Sequence, residues 1–168
     1  MNDKGSKVKI RHSTLQDIDI LLSIFASAKD YMIKSGNPNQ WKAGYPSIDI
    51  IEKDIDDKNS YIVEENDKAV GTFTFIQGED PTYISIRGKW LNNLPYGTIH
   101  RLASNGGGNG LLHKALDYCT KINPNIKIDT HKDNKIMQLL LCKEGFTECG
   151  IITGVDGDDR IAYQKYYF

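Results

Sequence analysis

Residues 104–110 read Ser-Asn-Gly-Gly-Gly-Asn-Gly, and this glycine run follows a strand-like stretch, 97–103 (GTIHRLA), and precedes a strongly periodic helical one. In the helical stretch Leu111, Leu112, Ala115, Leu116, Cys119 and Ile122 fall on one face. Strand, side-chain-free loop and helix start together aim unpaired N–H groups and the positive end of a helix dipole at one point. An anion is expected there, and a phosphate is the natural candidate. Taken alone, a glycine cluster reads equally well as a surface turn; the helix that follows favours the anion site. A Walker loop is disfavoured because Gly110 is followed by Leu111 and Leu112 instead of Lys-Ser/Thr. A dinucleotide loop normally follows the first strand, whereas this one follows several, although Asp129 lies near the acidic spacing such a loop requires.

The rest of the chain supplies elements to build around that loop. Val8 and Ile10 alternate with Lys9 and Arg11, the period of a half-buried strand. Ser13-x-x-Gln16 reads as a capping box for a helix carrying Ile18, Leu21, Leu22, Phe25, Ala28 and Met32 on one face and stopping at Ser35-Gly36-Asn37-Pro38. Ser47 caps a shorter helix through Ile48, Ile51 and Ile55. Residues 60–64 and 69–76 are rich in β-branched and aromatic side chains and form a hairpin around Asn66-Asp67-Lys68. The stretch 81–95 has no clear period and is assigned a strand fragment plus loop. Ile126 and Ile128 mark a further strand, and Asp133 or Asn134 starts a helix through Leu141 that stops at Gly145. Residues 146–152 and 160–166 close the chain as two strands around Asp156-Gly157-Asp158. This order predicts an α/β (α+β) fold with a mixed sheet covered by helices on both faces.

At 168 residues the chain is expected to form a single domain, 1–168, since one domain typically holds about 150 residues. Its net charge of -1 offers no long-range pull toward phosphate backbones or anionic membranes, so neither nucleic acid nor a membrane is expected as a partner. The polar start MNDKGSK and the lack of a membrane-length apolar run lead to a cytoplasmic expectation. Cys119, Cys142 and Cys149 form no CxxC pair, so reduced thiols are expected, with neither disulfide nor zinc site.

Residues 105–110 (NGGGNG) are similar to the Arg/Gln-x-x-Gly-x-Gly/Ala signature that GCN5-related N-acetyltransferases carry between a strand and a helix. Gly108 and Gly110 match it, and Asn105 departs from it. A second motif of that family, an Asn followed by a helix ending in Gly-Phe, resembles Asn134 through Gly145-Phe146. The element order matches over nearly the whole chain, and IHRLAS, IDTHKDN and KEGFTECGII resemble one branch of the family in particular. The resemblance implies a mostly antiparallel sheet in which two parallel strands, 98–103 and 125–130, splay apart at the cofactor site. It implies acetyl-CoA as cosubstrate, no metal, and transfer of the acetyl group to a primary amine by direct attack in a ternary complex. Backbone at Gly106, Gly107, Gly108, Asn109, Gly110 and Leu111 would cradle the pyrophosphate. Leu102 and Ala103 would pair with the pantetheine arm, Ser104 and Asn105 would continue that stretch, and Asn134 would hydrogen-bond the arm. An N–H near Leu102 would stabilise the developing oxyanion. The acceptor it implies is a small-molecule or peptide amine, and the protein is expected to be a monomer or homodimer.

Many family members place a Tyr four residues before the Gly of Gly-Phe, where it protonates the leaving thiolate; here that residue is Leu141, which also fits the apolar face of its helix. This keeps two alternatives in view: another acyl-CoA-dependent acyltransferase, and a catalytically silent acyl-CoA-binding regulator. Cys142, beside Leu141, is a candidate acid or a structural thiol. His100 and His131 fall on the two strands that would flank the acetyl group, and imidazole is well matched to taking a proton near neutral pH. Each also reads as a core or hydrogen-bonding histidine. His100 is the preferred base because alternation along the strand puts it on the same side as Leu102. His131-x-Asp133 is part of an iron facial triad, but no His follows it. Trp41, Tyr83 and Trp90 lie in loops or irregular segments and are expected to line the acceptor pocket, since aromatic faces hold cations.

Overall fold

Alternating and 3.6-residue patterns resolve into eight strands and four helices in the structure, a computed structural model that describes residues 5–168 apart from Gly108. In chain order they are β1 (Val8–His12), α1 (Ile18–Lys34), α2 (Ile48–Asp56), β2 (Ser60–Glu65), β3 (Lys68–Gln77), β4 (Arg87–Gly88), β5 (Gly97–Ser104), α3 (Leu111–Cys119), β6 (Asn125–Thr130), α4 (Lys135–Lys143), β7 (Thr147–Thr153) and β8 (Asp159–Tyr166). The strands form one sheet in the order β1-β2-β3-β5-β6-β8-β7-β4. Every neighbouring pair is antiparallel except β5–β6, the pair linked by a helical crossover through α3. That parallel pairing holds only at Gly97↔Ile126 and Thr98↔Lys127, after which the two strands part.

Helices cover both faces, as the element order predicts. On one face Leu112, Ala115, Leu116 and Cys119 of α3 and Leu141 of α4 pack with Phe73, Phe75, Ile99, Ile126 and Ile128 from the sheet. On the other, Leu21, Ile24 and Phe25 of α1 and Ile51 and Ile55 of α2 pack with Ile62 and Ala103. Leu141 is fully buried, so its place in the Gly-Phe motif is filled by core packing. A third cluster of Tyr83, Tyr96, Ile152 and Ala162 explains why 81–95 lacks a period: apart from the short β4 and a 3-10 turn at Pro81–Tyr83, it is an irregular cover for the far half of the sheet.

Two local readings shift. The first helical turn is capped one residue later than Ser13-x-x-Gln16 suggests: the Asp17 carboxylate accepts the Thr14 N–H at 2.8 Å, while the Ser13 hydroxyl is taken by that of Ser60 at 2.8 Å. The central helix ends at Cys119, which leaves Ile122 beyond it and exposed.

Candidate active site

The parting of β5 from β6 opens one edge of β5, and a bulge on its other side turns the chain. Thr72 pairs with Ala103 and Thr74 with His100, so three steps on β5 face two on β3. Arg101 absorbs the extra residue at φ +49°, a left-handed conformation that costs an L-residue about 1–2 kcal/mol. The bulge breaks strand alternation. Ile99 and Leu102, three residues apart, both pack into the α3/α4 core, while His100 turns to the other face. The alternation argument that put His100 and Leu102 on the same side is therefore corrected.

Beyond the bulge, a cavity of about 430 Å³ runs between α3 and α4 along Ala103, Ser104, Asn109, Gly110 and Leu111, with Asn134 on its opposite wall. Gly110 is the N-cap of α3 at φ +68°, so glycine suits the point where strand direction becomes helix direction. Gly71 of β3 lets the helix start sit close, since a Cβ there would lie 2.7 Å from Leu111 Cδ1. The loop folds on itself: the Gly106 N–H donates to Ser104 Oγ (3.0 Å) and the Gly107 N–H to Asn105 Oδ1 (2.8 Å). Asn105 Nδ2 donates to the Ala69 carbonyl at 3.1 Å, so this shorter side chain shapes the loop where the family's Arg or Gln is replaced. Gly108 lies outside the described residues. Asn134 caps α4, its Oδ1 accepting the Met137 N–H at 3.0 Å, and its Nδ2 donates to Gln40 Oε1 at 2.9 Å. Gln40 also accepts from Asn37 Nδ2 and Thr130 Oγ1, so it fastens the α1–α2 loop to β6 and α4.

A second cavity, of about 370 Å³, shares Leu102 and Asn134 with the first and continues to His100, Asp80, Trp41, Tyr45, Asp129 and Arg160. His100 Nε2 lies 2.9 Å from Asp80 Oδ2, and Asp80 Oδ1 accepts from the Thr82 N–H (2.9 Å) and hydroxyl (2.7 Å). Burial works against the Asp80 charge, but the hydrogen bonds from His100 and Thr82 outweigh it and hold the carboxyl down at about 2. An ionised Asp80 is an acceptor only, so His100 Nε2 is the donor in that bond. Across the split, Tyr83 donates its hydroxyl to Asp129 Oδ1 at 2.5 Å, and Arg160 Nε stands 4.0 Å from Asp129 Oδ2. Burial, and then the charge of Asp129, push the Tyr83 phenol well above its ordinary range, so it stays a donor. Arg101 closes the same wall, gripping Asp54 of α2 through Nε (2.7 Å) and Nη2 (2.8 Å) and donating to Tyr45 Oη at 3.1 Å.

Known structures share this arrangement of strands. The chain is similar to a GNAT-family acetyltransferase from Streptococcus agalactiae, with 31% identity, 96% of each chain covered and a TM-score of 0.85. The chain belongs to the GNAT family of acetyltransferases. Its fold is also similar to that of a ribosomal-protein-alanine N-acetyltransferase from Brucella melitensis (19% identity, 95% and 99% covered, TM-score 0.62). It resembles as well a chain of the NatC complex bound to Gag peptide and CoA (15% identity, 96% and 99% covered, TM-score 0.58). No protein-family model and no curated protein matches the sequence.

In this GNAT chain the residues singled out from the sequence divide. His100, Trp41, Leu102, Ala103, Ser104, Asn109, Gly110, Leu111 and Asn134 line the two cavities, whereas Asn105, Gly106 and Gly107 line neither, their hydrogen bonds running within the loop. His131 does not join them: it is buried, lines neither cavity, and its Nδ1 accepts the Asp133 N–H at 3.1 Å. Cys142 lies exposed and also lines neither. Tyr83 and Trp90 stand behind the wall of the second cavity. Tyr83 reaches it through Asp129, Asp80 and His100, and Trp90 donates its indole N–H to the Tyr83 carbonyl at 3.0 Å. Their neighbourhood does hold a cation, but it is the protein's own: Lys127 Nζ sits 4.0 Å from the Trp90 ring centroid and 3.8 Å from that of Tyr96. Burial lowers the Lys127 pKa. Asp80, Gln40 and Arg101 carry no sequence signal that would single them out, because their partners are remote in the chain.

Proposed function

We propose that this chain is a single-domain N-acetyltransferase, 1–168, that moves the acetyl group of acetyl-CoA onto a primary amine by direct attack in a ternary complex. The observation that carries this reading is the Asp80–His100 pair beside the point where β5 leaves β6, with Nδ1 of His100 free among the described residues. Membership of the acetyltransferase family supports acyl transfer, and the NatC structure bound to peptide and CoA supports room for both substrates on this fold.

The residues present suit the acyl donor. Backbone N–H groups at Gly110 and Leu111 would hold the diphosphate at the start of α3, where no Cβ intrudes. Asn134 would share its amide with the pantetheine arm, and the open edge of β5 would offer backbone partners to the arm's amides. The thioester supplies the activated acyl carbon. An ammonium entering the second cavity meets the carboxylates of Asp80 and Asp129 within a lining that also carries Lys42, Arg101 and Arg160. His100 Nδ1 takes a proton from it, and Asp80 steadies the imidazolium that forms. The free amine attacks the carbonyl carbon, the Leu102 N–H would face the oxygen as charge builds on it, the C–S bond breaks so that the coenzyme leaves as thiolate, and the new amide nitrogen gives its extra proton to solvent. With Leu141 buried, solvent protonates that thiolate.

The test is release of free thiol from acetyl-CoA across a panel of primary amines, followed by His100→Gln with the best acceptor. Gln can donate to Asp80 as Nε2–H does but cannot titrate, so kcat/KM should fall by about 100-fold or more at unchanged melting temperature. A rate within about threefold of the parent, with an unmoved pH profile, would remove His100 as the base. The buried Leu141 favours one rival reading, a silent acyl-CoA-binding regulator; tight coenzyme binding without turnover of any amine would select it.

A further inference from the structure

We propose that Arg101 is a positioning residue that holds the β5 bulge in place, so aiming the Leu102 N–H, and joins that bulge to the acceptor wall through Tyr45. This rests on reading the two cavities as an acyl-transfer site. Backbone energetics alone would put Gly or Asn at φ +49°, so an Arg there has to return something through its side chain. The return is a fork. Nε and Nη2 take one oxygen each of Asp54 at 2.7 and 2.8 Å, a bidentate grip that Lys cannot reproduce.

Asp54 is itself fixed from the sheet, since Thr74 donates its hydroxyl to Oδ2 at 3.0 Å, and Thr74 is the residue paired with His100. The bulge is thus bracketed on both sides of the extra residue: by β3 through Thr74, and by α2 through Asp54. Both members of the ion pair are nearly covered, with side-chain exposures of 13% and 11%, so water does little to loosen the grip. The third nitrogen used, Nη1, reaches Tyr45 Oη at 3.1 Å, and the Tyr45 ring stands edge-on to Trp41 at 5.9 Å between centroids. Arg101 and Leu102 have no register partners on β3, so the direction of the Leu102 N–H is set by the bulge. One side chain therefore fixes the backbone group that faces the acyl carbonyl and the aromatic wall that faces the amine.

The experiment uses the full chain with Arg101→Gly, Arg101→Lys and Tyr45→Phe. Kinetics in acetyl-CoA and amine are combined with the ¹⁵N–H resonance of Leu102 on adding acetyl-CoA or coenzyme A. Gly accepts the left-handed φ, so Arg101→Gly should fold; Arg101→Asn, also tolerant of that φ, replaces it if it does not. Arg101→Gly should keep coenzyme A affinity within threefold, lose about 10- to 100-fold in kcat, and lose the Leu102 shift that separates acetyl-CoA from coenzyme A. Arg101→Lys keeps the charge and should rescue neither readout, while Tyr45→Phe should raise the amine KM with kcat kept. Parent kcat and a parent-like Leu102 response in Arg101→Gly, or full rescue by Lys, would overturn the proposal. A parent protein whose Leu102 resonance ignores acetyl-CoA while groove resonances respond would instead overturn the acyl-transfer reading, and this proposal with it.

Discussion

Replacing Trp90 with Ala separates two roles for the aromatic residues of 81–96. The indole is half-buried, donates to the Tyr83 carbonyl at 3.0 Å, lies 5.2 Å from the Tyr83 ring and covers Lys127 Nζ at 4.0 Å. A fully buried Trp→Ala change costs about 3–5 kcal/mol, so half-burial accounts for about 2. The hydrogen bond contributes about 1 kcal/mol, and the cation–π contact about 0.5, because Tyr96 still faces the ammonium. A loss of about 3–4 kcal/mol lowers the melting temperature of a 168-residue chain by roughly 6–15 °C. Trp90 does not line the second cavity, the one proposed to take the amine, so the amine KM, measured well below the variant's melting temperature, should stay within twofold. Thermal melts by circular dichroism and steady-state kinetics on the same preparation decide the matter. An unchanged melting temperature with a tenfold higher amine KM would refute the reasoning and return Trp90 to the acceptor site.

Asp80 gives a pH signature. Its carboxyl is held at about 2 against an unfolded value of about 3.9, so its stabilisation, at most about 2.6 kcal/mol, is complete above about pH 5 and fades as pH falls to about 2. Urea melts of parent and Asp80→Asn should therefore differ at pH 6 and converge near pH 2; a gap that persists at low pH would deny the ionic origin. Gly110→Ala meets no atom within 4 Å but must hold φ +68°, a strain of about 1–2 kcal/mol. Calorimetry should show coenzyme A binding weakened about tenfold, and unchanged affinity would take the loop out of the site.

Much of the fold is legible because it depends on neighbours in sequence. Leu112, Ala115, Leu116 and Cys119 announce α3, the glycines announce the loop before it, and the apolar spacing around Leu141 correctly places that residue in the core. What escapes depends on remote partners. Nothing near Arg101 signals a left-handed residue, since the carboxylate that supports it is Asp54, 47 positions away. Alternation carried past that unseen bulge therefore misplaces Leu102 relative to His100. Asp80 stands at the edge of an aperiodic stretch and acquires its role only when His100, 20 positions on, reaches it. An irregular cover carrying Trp90 and Tyr96 closes over Lys127, which alternates with Ile126 and Ile128 on β6, so aromatics that suggest a ligand site enclose an internal side-chain amine.

The wall of the second cavity, proposed to take the amine, and the groove proposed to take the acyl donor draw largely on different parts of the chain. The wall is assembled from the α1–α2 loop with Gln40, Trp41 and Tyr45, the β3–β4 loop with Asp80 and Thr82, and the β7–β8 loop with Gly154 and Asp156. The groove is lined by the β5–α3 turn, the start of α4 and α1, with Ser35 and Asn37 of the α1–α2 loop. Insertions, deletions or grafts in the β3–β4 and β7–β8 loops would alter the wall while leaving the groove intact, as heritable variation in one trait at little cost to the other, whereas the α1–α2 loop serves both. One hydrogen bond, Gln40 to Asn134, ties the α1–α2 loop to the start of α4, so a loop transplanted from a relative would need to bring a side chain able to meet Asn134.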